Sequence, residues 1–102
     1  MRAAAEGATE TPEVEAERVA IRLSMDFAKV VYDRRIELGL SQAELADRAG
    51  LTQAKISRIE GSDTVPTVAL LWRLAGALDG TLSIELDGQA NVVRFAAHHL
   101  AA

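Results

Sequence analysis

Arg34–Glu60 reads RRIELGLSQAELADRAGLTQAKISRIE, and its glycines and capping residues divide it into helices before any periodicity is counted. Gly39 ends whatever helix precedes it. Ser41-Gln42-Ala43-Glu44 follows as a capping box, in which the Ser41 hydroxyl and the Glu44 carboxylate each accept from the other residue's backbone amide. The box predicts a short helix over Gln42–Ala49. Gly50 stops that helix, Thr52 caps another that runs to about Glu60, and Gly61 ends it. Leu45, Ala49, Leu51, Ile56 and Ile59 fall where the two helices face each other. Ala46 is small where they must cross closely, and Gly50 supplies a permissive backbone at the turn. Two helices joined by a glycine turn can be any helical hairpin, so it is the agreement of residue type at all seven of these positions that restricts the reading.

On those residues, Arg34–Gly80 resembles the Cro/C1-type helix-turn-helix family, also called the XRE family, and Arg34–Glu60 is similar to the DNA-binding domains of lambdoid phage repressors. The resemblance implies a mainly α fold, a lambda-repressor-like helical bundle. In it, Gln42–Ala49 crosses the phosphate backbone and Thr52–Glu60 enters the major groove of double-stranded operator DNA.

Helical projection of Thr52–Glu60 turns Ile56 and Ile59 inward and leaves Ala54, Ser57 and Arg58 outward, with Gln53 and Lys55 flanking. These five are the candidate base-contacting residues. Gln53 can pair bidentately with adenine, Arg58 or Lys55 with guanine, and Ala54 can touch a thymine methyl. Lys55 in the first turn opposes the helix dipole, a conflict that a phosphate or base partner relieves. An ordinary solvated face is the alternative for the set. Ser41, Gln42 and Thr52 stand at helix starts, where amides and short polar side chains bind phosphate, and Arg34 adds a charge; these are the candidate phosphate contacts, with capping as the alternative role. Glu60 projects to the core edge, and similar proteins pair an Arg and a Glu at these places, so Arg35 and Glu60 read as a structural ion pair.

Upstream, residues 1–10 are small and polar and read as a disordered leader. Thr11 can cap a helix with Pro12 at its first position and Glu13, Glu15 and Glu17 in its opening turns. No Gly or Pro follows until Gly39, so one long helix, or two nearly continuous ones, is predicted over about Pro12–Leu38. Its 11–33 portion forms an N-terminal helical extension to the 34–80 domain. Two apolar stripes run along it. Ala16, Ala20, Leu23, Phe27, Val30 and Val31 form the first; Val14, Ile21, Met25, Ala28 and Tyr32 form the second. One faces the core. The other either packs internally as well or needs a partner, which makes Val14, Ile21, Met25 and Tyr32 candidate interface residues.

Downstream, Pro66 and Thr67 open a helix to Leu78 that Gly80 closes, with Val68, Leu71, Leu74, Ala75 and Leu78 as its core stripe. Trp72 lies beside that stripe and either fills the core edge, the leading reading, or anchors an interface. The period then changes to two: Leu82, Ile84 and Leu86 alternate with Thr81, Ser83 and Glu85, which is a strand. Asp87-Gly88 suggests a two-residue turn, and Val92, Val93 and Phe95 supply a returning strand. A β-strand or hairpin is therefore expected over 81–95 and a tail over 96–102. Two strands alone are marginally stable, so Leu82, Ile84 and Leu86 join Trp72 as candidate interface residues.

Composition narrows the function classes. A chain of 102 residues suits one domain. No apolar run approaches the roughly eighteen residues of a membrane span, and the start has no signal-peptide block, so a cytoplasmic, nucleoid-associated protein without membrane contact is expected. The absence of cysteine removes disulfides and thiolate chemistry. His98 and His99, adjacent in an alanine-rich tail, make a poor metal site. Carboxylates are scattered, and no glycine-rich loop follows a strand; no catalytic residue, metal, cofactor or small-molecule substrate is expected. The net charge of -4 looks wrong for a DNA binder. Its distribution is more favourable: four basic and seven acidic residues over 1–33 give -3, five and three over 34–58 give +2, and two and five over 59–102 give -3.

One recognition helix spans too few base pairs for useful selectivity, so a homodimer on a palindromic operator, with half-sites about 34 Å apart, is expected. The layout of a long N-terminal helix, a helix-turn-helix and the strand TLSIEL directly after it is also similar to antitoxins of the HigA kind in type II toxin-antitoxin pairs. That resemblance implies a repressor that autoregulates its operon and neutralises a RelE/HigB-like mRNA-cleaving toxin. The second apolar stripe then suits the toxin and the hairpin suits dimerisation, or the reverse. A free-standing phage or host repressor, and an interaction module that keeps the fold without using DNA, are the alternatives.

Overall fold

The computed structural model describes residues 11–88 and 91–98; the expected leader, 1–10, and His99 lie outside them. The Thr11 hydroxyl accepts from the Val14 amide at 3.2 Å and Pro12 takes the first helical position, so one unbroken helix, α1 (Pro12–Glu37), begins there. In α2 (Gln42–Ala49) both arms of the capping box form: Glu44 N donates to Ser41 Oγ at 3.0 Å and Ser41 N to Glu44 Oε1 at 2.8 Å. Gly50 closes α2 at φ 68°, where an L side chain is strained, and a Cβ there would also meet Arg73 Nη1 at 2.9 Å. The Thr52 hydroxyl caps α3 (Gln53–Glu60) by accepting from Lys55 N at 3.1 Å, and Thr67 does the same for α4 (Val68–Ala77) through Leu70 N at 3.1 Å.

The four helices close around one core. Phe27 and Val31 come from α1, Leu45, Ala46 and Ala49 from α2, Ile56 and Ile59 from α3, and Leu70, Leu74, Ala77 and Leu78 from α4 and its cap. Fully burying each of the larger side chains contributes about 1.5–3 kcal/mol relative to leaving it exposed. β1 (Gly80–Leu86) and β2 (Asn91–Ala97) form an antiparallel hairpin whose paired Leu82 and Phe95 pack against this core. Gly80 is required at that contact, because a Cβ would run into the Phe95 ring. β1 lies against α4 and β2 against α1, so the hairpin takes its support from the helices.

Several expectations change. Of the first α1 stripe Leu23, Phe27 and Val31 are buried, whereas Ala16 is exposed; of the second, Ala28 turns into the core and Val14, Ile21, Met25 and Tyr32 stay exposed. In α4 the buried set runs through Leu70 and Leu74 rather than Val68, which is 82% exposed. Trp72, 79% exposed, is not core filler. This helix is apolar almost all round, so two stripes compete in sequence and contact with α2 and β1 selects one of them. The left-handed residue after α4 is Asp79, φ 56°, rather than Gly80. Leu86 pairs with Asn91, so residues 87–90 connect the strands where Asp87-Gly88 alone suggested two. β2 continues to Ala97, into the stretch read as tail, and His98 follows it with its amide on Asp79 O at 3.0 Å.

The capping box carries a pH signature. The Ser41 amide, then the Ser41 side chain and Arg48, hold the Glu44 carboxyl below its usual range. A carboxylate whose folded value is depressed adds stability at pH above its unfolded value, and that stability is lost as pH falls through the folded one. The stability of the wild type, measured by chemical denaturation, should therefore begin to fall below about pH 4.3. Glu44→Gln, which keeps the box without its titration, should show a shallower loss over the same window.

Candidate nucleic-acid interface

Ile56 and Ile59 are fully buried and lie on one side of α3, so the other side must face away from the core. Gln53, Ala54, Ser57 and Arg58 are exposed there and Lys55 is half-buried. The first turn of α3 carries no acidic residue, so the positive end of its dipole and Lys55 reinforce each other. Among the described residues no ion pair holds Lys55 or Arg58. The five proposed base readers thus stand on one short helix, with Gln53, Ala54, Ser57 and Arg58 exposed and Lys55 partly so.

The four proposed phosphate contacts do not share that freedom. Arg34 is a correction: its Nε donates to Leu78 O at 2.9 Å, its Nη1 pairs with Glu37 at 2.9 Å, and its guanidinium sits 5.2 Å from the Phe95 ring centroid. With its side chain 11% exposed, it fastens the end of α4 and the hairpin to α1 and is not available to a phosphate. The Gln42 side chain donates to Glu60 Oε1 at 3.1 Å, leaving its backbone amide for an anion. Ser41 and Thr52 accept from Glu44 N and Lys55 N as caps, and each hydroxyl keeps its own proton to donate.

Arg35 and Glu60 form the expected pair, and its geometry is bidentate. Arg35 Nε and Nη2 donate to Glu60 Oε2 and Oε1 at 2.7 and 2.9 Å, Nη1 donates to Leu40 O at 2.8 Å, and the guanidinium stacks 5.3 Å from the Tyr32 ring centroid. The two side chains are only 10% and 6% exposed. The Glu60 hydrogen bonds hold Arg35 further above its ordinary pKa against the opposing effect of burial. The bidentate fork joins the C-terminal end of α1 to the C-terminal end of α3.

Two further arginines support the unit without any local sequence signal. Arg73 Nη1 donates to Ala49 O and Gly50 O at 3.4 and 3.2 Å, which satisfies carbonyls at the turn, and Arg48 Nη1 reaches Ala77 O at 3.5 Å. Of the basic window 34–58, Arg34, Arg35 and Arg48 thus make internal contacts. Among the described residues no helix is long and apolar enough to cross a membrane, and no group of three or more His, Cys, Asp or Glu could hold a metal ion.

Two short helices locked at a glycine turn, the second presenting a polar face with two cations, define a helix-turn-helix unit. Residues 31–84, more than half of the chain, match the helix-turn-helix family HTH_3, and the chain belongs to that family. It is 41% identical over 49 residues to an uncharacterised HTH-type transcriptional regulator of Methanothermobacter thermautotrophicus, covering 48% of this chain and 71% of that protein. It is 37% identical over 62 residues to another from Haemophilus influenzae, covering 61% of this chain and 63% of the relative. The fold is similar to the crystal structure of an HTH_3 family transcriptional regulator from Vibrio cholerae, with a TM-score of 0.56 and 29% identity over 58% of this chain and 33% of the other. The likeness is thus to part of each relative.

Breaking the Arg35–Glu60 pair one-sidedly should be costly. Arg35→Ala leaves a buried carboxylate without its partner and should destabilise the fold by about 3–5 kcal/mol in equilibrium denaturation. Replacing both residues by apolar ones of similar volume should recover most of that loss.

Proposed function

We propose that this chain is a sequence-specific DNA-binding transcription regulator that acts as a two-fold dimer, with α3 in the major groove of each half-site. The observation that carries the reading is the outward face of α3. Gln53, Ala54, Ser57 and Arg58 are exposed on a helix whose opposite side is anchored by Ile56, Ile59 and the Glu60 fork. Ser41, Thr52 and the Gln42 backbone amide supply phosphate contacts at the starts of α2 and α3. The relatives named as transcriptional regulators support the same role. With so few cations directed outward, binding to non-specific DNA is expected to be weak and the base contacts to carry most of the discrimination.

The finer reading is that of an antitoxin that represses its own operon and neutralises an mRNA-cleaving toxin. Its support is the resemblance in layout and the exposed seam of Val14, Ile21, Met25 and Tyr32 on α1. The seam lies on a different helix from the α3 face, so one protomer can hold DNA and a protein together.

Two measurements test these readings. With an operator selected from a random duplex pool, Gln53→Ala and Arg58→Ala should each weaken binding by about 1–3 kcal/mol and relax preference at one base position. Unchanged affinity and preference would remove α3 from the groove. Purification from the native host should bring down a small basic protein, and Ile21→Asp with Met25→Asp should release it; recovery of the chain alone would sink the antitoxin reading and leave DNA binding intact.

A further inference from the structure

The middle of α1 and the segment between α3 and α4 enclose a surface cavity of about 240 Å³. From α1 it is lined by Ala20, Ile21 and Ser24, and from the segment by Ser62, Asp63, Thr64 and Val65. Its walls differ in character. Ala20, Ile21 and Val65 are apolar, whereas the other four bring one carboxylate and three hydroxyls. No lysine or arginine lines it.

The polar groups are rich in acceptors and short of donors. Ser24, which is buried, gives its hydroxyl proton to Ala20 O at 3.0 Å, so its oxygen has only lone pairs left to offer. Thr64 Oγ1 is buried with no hydrogen-bond partner among the described residues. Asp63 is exposed and, among the described residues, in no ion pair. Glu17, exposed and likewise in no ion pair there, stands one turn before Ala20 and Ile21 on the same side of α1. The segment that carries Asp63 is held in place rather than loose. The amides of Gly61, Ser62 and Asp63 donate to Ser57 O, Ile59 O and Arg58 O at 2.9, 3.1 and 2.9 Å, with Ser62 in the left-handed region at φ 63°.

We propose that this cavity binds a primary alkylammonium group, with the ammonium at Asp63 and the Ser24 and Thr64 hydroxyls and the alkyl chain against Ile21 and Val65. An ammonium brings three donors and no acceptor, which is what these groups lack. The carboxylate attracts a cation, and with no basic side chain in the wall an anion meets only repulsion. A guanidinium suits two parallel acceptors on one group, as Glu60 offers Arg35, whereas the acceptors here come from two separate elements. At about 30 Å³ per liquid water the cavity has the volume of about eight waters, enough for a short amine. The group has two sources, a small free amine or a lysine of a protein seated on the α1 seam, which includes Ile21. The site stands without either functional reading, and only the lysine source rests on the antitoxin reading.

n-Butylammonium chloride titrated into the isotope-labelled full chain, at constant ionic strength held with potassium chloride, should give saturable amide shifts centred on residues 20–24 and 61–65. n-Butanol and n-butyrate should not reproduce them. Asp63→Asn removes the charge, and Ala20→Leu fills the hollow while keeping every charge. Each, with a far-UV spectrum like the wild type, should weaken n-butylammonium binding by about tenfold or more. Shifts that do not saturate, that n-butanol reproduces, or that either folded variant leaves unchanged overturn the site. The complex purified from the native host separates the sources. Asp63→Asn that loosens the protein partner assigns the ammonium to its lysine. A partner held as tightly by Asp63→Asn, or a chain recovered alone, assigns it to a free amine and leaves the site standing.

Discussion

The geometry of α3 depends on one buried carboxylate. Glu60 accepts two hydrogen bonds from Arg35 at the end of α1 and one from Gln42 at the start of α2, so three helices meet at a single side chain. Taking both charges out of water opposes folding, and the bidentate fork, the Leu40 carbonyl and the Tyr32 ring together offset that cost. What the arrangement adds is direction. Ile56 and Ile59 hold one side of α3 inward through non-directional burial, and the fork fixes how the end of the helix is rotated and tilted. The exposure of Gln53, Ala54, Ser57 and Arg58 follows from the two constraints acting together.

The same architecture explains how an acidic chain can present the positive α3 face that we propose meets DNA. Its net charge is -4, and most of the positive charge in the central window is turned to internal use, with Arg34 clamping the hairpin, Arg35 holding Glu60 and Arg48 reaching the end of α4. Lys55, in the first turn beside the positive end of the dipole, and Arg58, in the last turn, are left on the outer side of α3. A small, well-placed positive region on an otherwise acidic body favours discrimination over tight non-specific attachment.

The open faces separate by chemistry. The α4 face centres on exposed Val68 and Trp72, and the α1 seam of Val14, Ile21, Met25 and Tyr32 is edged by exposed Arg22, Lys29 and Asp33. Neither face includes a residue of α3, so the outward side of that helix stays uncovered by both.

Much of this was legible in the chain itself. Caps and glycine stops are local, since each hydrogen bond closes within three or four residues. Thr11, Ser41, Thr52, Gly50 and the capping-box Glu44 therefore declared the boundaries of α1, α2 and α3 without reference to the rest of the molecule. The inward pair Ile56 and Ile59 likewise determined which side of α3 faces out. Contacts between distant segments were decided only on folding. Nothing near Arg34 in sequence announces that the Leu78 carbonyl, forty-four positions away, will take its guanidinium, nor that Arg73 will satisfy the Gly50 turn. The rotation of α4 was equally undecided, because a helix apolar on nearly every side offers no preferred stripe until a neighbour covers one. Local hydrogen bonding and periodicity are properties of the chain, whereas the partner of a long polar side chain and the buried side of an all-apolar helix are properties of what packs against them.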